Sequence, residues 1–146
     1  MKIIMGADHA GYELKEAVKQ HLKEKGHEVV DLGTDGKESV DYPDYAQKVS
    51  HEVLKEHAMG VLCCGTGIGM SLTANRIRGI RAAVCHSDYT AKVAREHNNA
   101  NIICLGGRTI PPELAIHMVD IFFSTDFSPE ERHHRRVDKI EATKCC

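Results

Sequence analysis

In the segment Cys64-Gly65-Thr66-Gly67-Ile68-Gly69 a nucleophile, a hydroxyl and a run of alternating glycines adjoin. Glycine at every second position lets successive backbone N–H groups turn toward one point, which makes an anion nest where a helix begins. Cys64 directly precedes that nest, and the positive end of a helix favours a thiolate over a thiol. A thiolate beside an oxyanion hole can attack a carbonyl or remove a proton alpha to one, and the residues alone leave both uses open. The bland alternative, a buried cysteine closing an apolar strand, suits the neighbouring Cys63 better.

A second loop, Gly6-Ala7-Asp8-His9-Ala10-Gly11, offers a carboxylate and an imidazole. Gly6 and Gly11 have phosphate-loop spacing, but Tyr12 and Glu13 stand where that motif needs Lys and Ser or Thr. The Cys64 loop has GxGxG spacing rather than GxGxxG, and no acidic ribose ligand follows about twenty residues on, so a dinucleotide site is a weak reading. Further polar groups occur at Glu96-His97-Asn98-Asn99, Gly106-Gly107-Arg108 and Arg132-His133-His134-Arg135-Arg136. Arg132 and Arg136 are four apart, so on a helix both leave one face, where two guanidinium forks suit a phosphate dianion. A solvated basic face balanced by Glu130, Glu131 and Asp138 explains them equally well, and His97 has the alternative of capping a helix C-terminus. A metal site is disfavoured, because His51-Glu52-Val53-Leu54-Lys55 lacks the second histidine of HExxH.

These groups need a scaffold, and the sequence indicates one. The chain has 146 residues and 16.2 kDa, which fits a single domain over residues 1–146. Its net charge of −2 argues against nucleic acid or an anionic membrane as the main partner. No apolar run nears a membrane span and the start lacks a signal-peptide pattern, so the expected location is the cytoplasm. Six cysteines without a CxxC pair read as free thiols, including an exposed Cys145-Cys146 end liable to oxidation. Short apolar runs at residues 2–5, 28–31, 60–64, 81–85 and 101–105 alternate with amphipathic stretches at 13–25, 44–57, 87–97, 112–123 and 129–143. Apolar strands each followed by a helix predict an α/β fold. It would be a three-layer α/β/α sandwich with a five-stranded parallel, Rossmann-like sheet and an extra C-terminal helix. In such sheets ligands bind beyond the carboxyl ends of the strands, where both glycine-rich loops would lie.

The segments around Asp8, Asp41-Tyr42-Pro43-Asp44-Tyr45-Ala46, the Cys64 loop, Gly79-Ile80-Arg81-Ala82-Ala83-Val84-Cys85, Arg95-Glu96-His97-Asn98 and Arg132-His133-His134-Arg135-Arg136-Val137 together resemble type B ribose-5-phosphate isomerase. The likeness runs in order from Met1 to about Ile140. The same family includes isomerases of allose 6-phosphate and galactose 6-phosphate. It implies an aldose–ketose isomerase, with Cys64 moving a proton between C1 and C2 of an open-chain sugar through a cis-enediolate. Gly65, Gly67, Ile68 and Gly69, with the Thr66 hydroxyl, would face the enediolate oxygen. His97 would open the ring, Asp8 and Asn98 would hold sugar hydroxyls, and His9, Arg108, Arg132 and Arg136 would grip phosphate. No cofactor or metal is implied, since the nest and arginines supply positive charge. Lys144-Cys145-Cys146 departs from the family pattern.

Ribose 5-phosphate and ribulose 5-phosphate are the leading substrate pair. A six-carbon sugar phosphate, or a non-catalytic phosphate-binding module, are the alternatives. One geometric expectation concerns partners. His97 falls in a helix-to-strand link, hence at the amino ends of the strands, whereas Cys64 closes a strand at its carboxyl end. A five-residue strand is about 16 Å long, so one site needing both residues requires a homodimer with shared sites, a tetramer being open as well.

Overall fold

A computed structural model describes residues 1–144; the expectation for Cys145 and Cys146 falls outside them. Eleven elements run along the described residues, strand and helix alternating until two helices follow the last strand. They are β1 (Lys2–Ala7), α1 (Tyr12–Glu24), β2 (Glu28–Asp31), α2 (Tyr42–Glu56), β3 (Met59–Cys64), α3 (Ile68–Ala74), β4 (Ala82–Val84), α4 (Asp88–Glu96), β5 (Ile102–Gly106), α5 (Pro112–Ser124) and α6 (Glu131–Glu141). The strands form one parallel sheet in the order β2-β1-β3-β5-β4.

Alternation of side chains along each strand sends them to opposite faces of the sheet. Ile3, Met5, Val61, Cys63, Ile103 and Leu105 meet Leu14 and Val18 of α1, Ala91 and Ala94 of α4, and Met118 and Phe122 of α5. Ile4, Leu62, Cys64, Ile102 and Cys104 meet Ala46, Val49 and Val53 of α2 and Met70 and Ala74 of α3. The result is the three-layer sandwich, with central strands buried on both faces. α6 follows as the additional C-terminal helix, tied to the rest through Arg81 and Arg78, which bond the side chain and the carbonyl of Glu141.

Three details differ from the sequence reading. β1 and β5 run further toward their loops because Ala7 and Gly106 still pair with Cys63 and Cys64. β4 is only three residues long and lies at the edge, with β5 between it and β3. The helix start expected at the glycine nest is present as α3, but it is only seven residues long, too short for its periodicity to mark an amphipathic stretch in the sequence.

A buried cation joins α1 to the end of β2. Lys15 is fully buried; its Nζ lies 2.8 and 2.9 Å from the two Asp31 oxygens and donates to the Thr34 carbonyl at 2.6 Å. Lys19 reaches the same carboxylate at 2.7 Å. Burial alone would raise the Asp31 carboxyl, but hydrogen bonds from Lys15, Lys19 and the Gly33 N–H outweigh it and hold the group below the usual carboxylate range. Such a depressed carboxyl stabilises the fold above its unfolded-state pKa and loses that contribution as pH falls through the folded-state value. Asp31→Asn should therefore lower stability by about 2–4 kcal/mol at pH 7, less than for a fully dry pair because Asp31 keeps some water contact. Urea melts of wild type and variant should converge as pH falls below the carboxylate range; a gap that persisted unchanged into acid would contradict this role for the pair.

Candidate active site

Three loops meet at the carboxyl ends of β1, β3 and β5 around a cavity of about 450 Å³. Its walls include Asp8, His9, Tyr42, Cys64, Gly65, Thr66, Ile68, Gly69, Leu72 and Arg108. Cys64 is 5% exposed and ends β3 on the α2/α3 face, while Cys63 is fully buried on the opposite face. The Gly67 N–H donates to Cys64 Sγ at 3.1 Å, and the Ile68 N–H donates to Thr66 Oγ1 at 3.3 Å. Gly67 can aim its N–H this way because its φ is +81°, a conformation that glycine adopts without a Cβ penalty. Gly69 has another use. It lies inside α3, and a Cβ there would come 2.5 Å from the Tyr42 ring, so its bareness seats Tyr42 over the cavity.

The neighbouring loops are tied to the same point. The Gly107 N–H donates to the Cys64 carbonyl at 2.8 Å and the Arg108 N–H to the Gly65 carbonyl at 2.9 Å, which fixes the start of the arginine at the cavity. Asp8 Oδ1 accepts the Gly11 N–H at 3.0 Å, closing the β1–α1 turn. The Val40 N–H donates to His9 Nδ1 at 3.2 Å, so the neutral imidazole carries its proton on Nε2.

The remaining sequence candidates gather elsewhere. His97 caps α4 and precedes β5, whose first residue, Ile102, pairs with Gly60 rather than with the Cys64 end of β3. Four residues of strand, about 13 Å, separate those registers. Arg95 holds this turn: its guanidinium donates to Asn99 Oδ1 at 2.9 Å and to the Ala100 carbonyl at 2.7 Å, and leaves Asn98 exposed. The His97 ring stacks on His133 of α6, so Arg132 and Arg136 belong to the His97 cluster and not to the Cys64 cavity. Arg132 is engaged with Glu130, and Arg136 is exposed. The chain thus carries two separate groups, one built on Cys64 and one on His97. Tyr42 was missed as a site residue; its place beside Pro43 reads as a helix start, and only the packing against Gly69 reveals its second use.

A parallel sheet with a thiol, a hydroxyl, an imidazole and a guanidinium converging beyond its strand ends is the layout of a small-molecule enzyme. The sequence model of the Ribose/Galactose Isomerase family matches residues 3–140, and the chain belongs to that family. It is 46% identical over 142 residues to the ribose-5-P isomerase B of Listeria innocua and 43% identical over 142 residues to the ribose-5-phosphate isomerase B of Escherichia coli. Each alignment covers 97% of this chain and 95% of the relative. The crystal structure of a ribose 5-phosphate isomerase from Thermotoga maritima superposes with a TM-score of 0.94 at 55% identity, covering 97% of this chain and 98% of that one. The protein is an isomerase with that fold. Among the described residues no helix is long and apolar enough to cross a membrane.

The four described cysteines differ in reactivity for a physical reason. Burial pushes the Cys85 thiol up to about 12, and raises Cys63 and Cys104 well above the ordinary thiol range. These three remain protonated thiols, whereas Cys64 opens to the cavity. Alkylation of the native protein, mapped by mass spectrometry, should label Cys64 before Cys63, Cys85 or Cys104. Equal labelling of the four would contradict the geometry.

Proposed function

We propose that one isomerase domain spanning residues 1–146 interconverts D-ribose 5-phosphate and D-ribulose 5-phosphate. The observation that carries this reading is the Cys64 thiol facing the cavity with the Gly67 N–H aimed at its sulfur, in a chain whose relatives bear that activity in their names. His97 opens the furanose by protonating the ring oxygen and taking the proton of the anomeric hydroxyl. Cys64 then removes the proton on C2, and the electron pair of that C–H bond forms the enediolate while negative charge moves to O1. Returning the proton to C1 and transferring the O2–H proton completes the ketose. The Thr66 hydroxyl and the backbone turn of Gly65, Gly67, Ile68 and Gly69 border the developing oxyanion. The Gly67 N–H serves the Cys64 sulfur and the Ile68 N–H orients the Thr66 hydroxyl. Each donor that reaches the oxyanion is worth about 3–4 kcal/mol. Asp8 and Asn98 bind hydroxyls; His9, Arg108, Arg132 and Arg136 bind the phosphate. The reaction needs no cofactor.

Isomerisation followed by NMR in D2O, with pentose 5-phosphates and hexose 6-phosphates side by side, tests the substrate and the base together. Wild type should exchange solvent deuterium into ribulose 5-phosphate. Cys64→Ala should lose the reaction while Cys63→Ala keeps most of it, because the two thiols lie on opposite faces of the sheet. Equal losses would sink the assignment, and turnover confined to hexose phosphates would replace the substrate.

The separation of the two groups supports a homodimer in which His97, Asn98, Arg132 and Arg136 of one chain complete the Cys64 cavity of the other. Inactive Cys64→Ala and His97→Ala proteins, unfolded and refolded together, should form half mixed dimers with one intact site each, restoring roughly a quarter of wild-type activity. Proven subunit exchange without recovery would overturn the shared site.

A further inference from the structure

The imidazoles of His97 and His133 lie face to face, with ring centroids 4.3 Å apart and planes 7° from parallel. The two residues come from different elements, His97 from the cap of α4 and His133 from the first turn of α6. His133 is 5% exposed, and on a helix as polar as α6 it is, with Val137, one of two buried residues. His97 is partly exposed, with a side-chain exposure of 38% and its Nε2 3.9 Å from Glu96 Oε1. No hydrogen bond joins the two rings among the described residues. We infer that His133 is a positioning residue, the buried flat wall that fixes the plane in which His97 presents its ring nitrogens to substrate.

Two features favour this over incidental packing. His97 follows α4 in a turn, where a half-exposed side chain would otherwise sample several rotamers. The turn backbone is held by Arg95, but that guanidinium reaches Asn99 and Ala100 and leaves the His97 ring to be fixed by something else. The α6 side is also anchored. His134 donates from Nε2 to the Ser128 carbonyl at 2.8 Å, and the Ser128 N–H donates to the Glu96 carbonyl at 2.9 Å, so the wall is referenced to the helix that bears His97.

The charges facing the stack are Glu96 on α4 and Arg132 and Arg136 on α6, besides His97 itself. Burial, then the neighbouring His97, Arg132 and Arg136, hold His133 below the ordinary histidine range, with Glu96 opposing them. His97 therefore works against an uncharged aromatic face. An aromatic residue without nitrogens would serve the same purpose.

This bears on the reaction only if His97 opens the ring as proposed above, and the test separates the two claims. His133→Ala should lower kcat for ribose 5-phosphate roughly 10- to 100-fold, as misplacement of a catalytic group does, with KM within about threefold. His133→Phe should return kcat to within about threefold of wild type. In parallel, the His97 ring protons, shifted in NMR spectra by the stacked ring, should move in His133→Ala and stay near their wild-type positions in His133→Phe. If His133→Ala does not fold, His133→Gln, polar and without an aromatic face, replaces it. Wild-type kcat in His133→Ala beside an inactive His97→Ala would overturn the inference, as would a His133→Phe no better than His133→Ala. A fully active His97→Ala would instead remove the role given to His97, and the ring shifts would still decide whether His133 holds it in place.

Discussion

The site depends on the register of three parallel strands. Ala7 pairs with Cys63, and Cys64 with Gly106, so β1, β3 and β5 end at one level. Their following loops have nowhere to go but around the Cys64 side chain. Hydrogen bonds from Gly107 and Arg108 to the Cys64 and Gly65 carbonyls then lock the last loop to the first residues of the Cys64 turn. A slip of one residue in β3 would exchange the faces of Cys63 and Cys64, sending the cavity thiol into the core beneath α1 and α5. Hydrophobic demand on both faces of β3 prevents that slip.

Around this frame two irregular segments are held by buried cations in addition to apolar contacts such as those of Leu32 and Ala100. Lys15 reaches across from α1 to Asp31 and to the Thr34 carbonyl, fixing the start of the long β2–α2 connection. Thr34 and Gly33 in turn exchange backbone bonds with Ala7, just ahead of Asp8 and His9. Arg95 does the same for the turn between α4 and β5. Loops lack an apolar stripe to bury, and a long cationic side chain can satisfy several carbonyls at once from a dry position. Both functional groups of the molecule thus sit on segments tied down from below.

The two groups lie at different ends of the sheet, a direct result of parallel topology. Every strand-to-helix loop leaves the carboxyl end, and every helix-to-strand link returns to the amino end. Cys64 belongs to the first kind and His97 to the second. α6 gathers Arg132, His133 and Arg136 to the His97 side. The shared-site dimer proposed for this protein takes its force from that separation.

Much of this was legible without coordinates. Apolar runs rich in Ile and Val, spaced by amphipathic stretches, determined a parallel sheet with helices on both faces, because only strands buried on two sides can be apolar throughout. The glycine spacing after Cys64 marked the thiol, and side-chain alternation distinguished it from Cys63. Tyr42, Lys15, Arg95 and His133 were not legible as site or support residues. Tyr42 depends on empty space at Gly69, Lys15 on a carboxylate sixteen positions away, and His133 on a ring thirty-six positions earlier. The strand order, with β5 inside and β4 at the edge, was equally beyond the sequence. Local pattern encodes which face of an element is apolar; which elements then become neighbours is decided by packing of the whole chain, and these contacts exist only there.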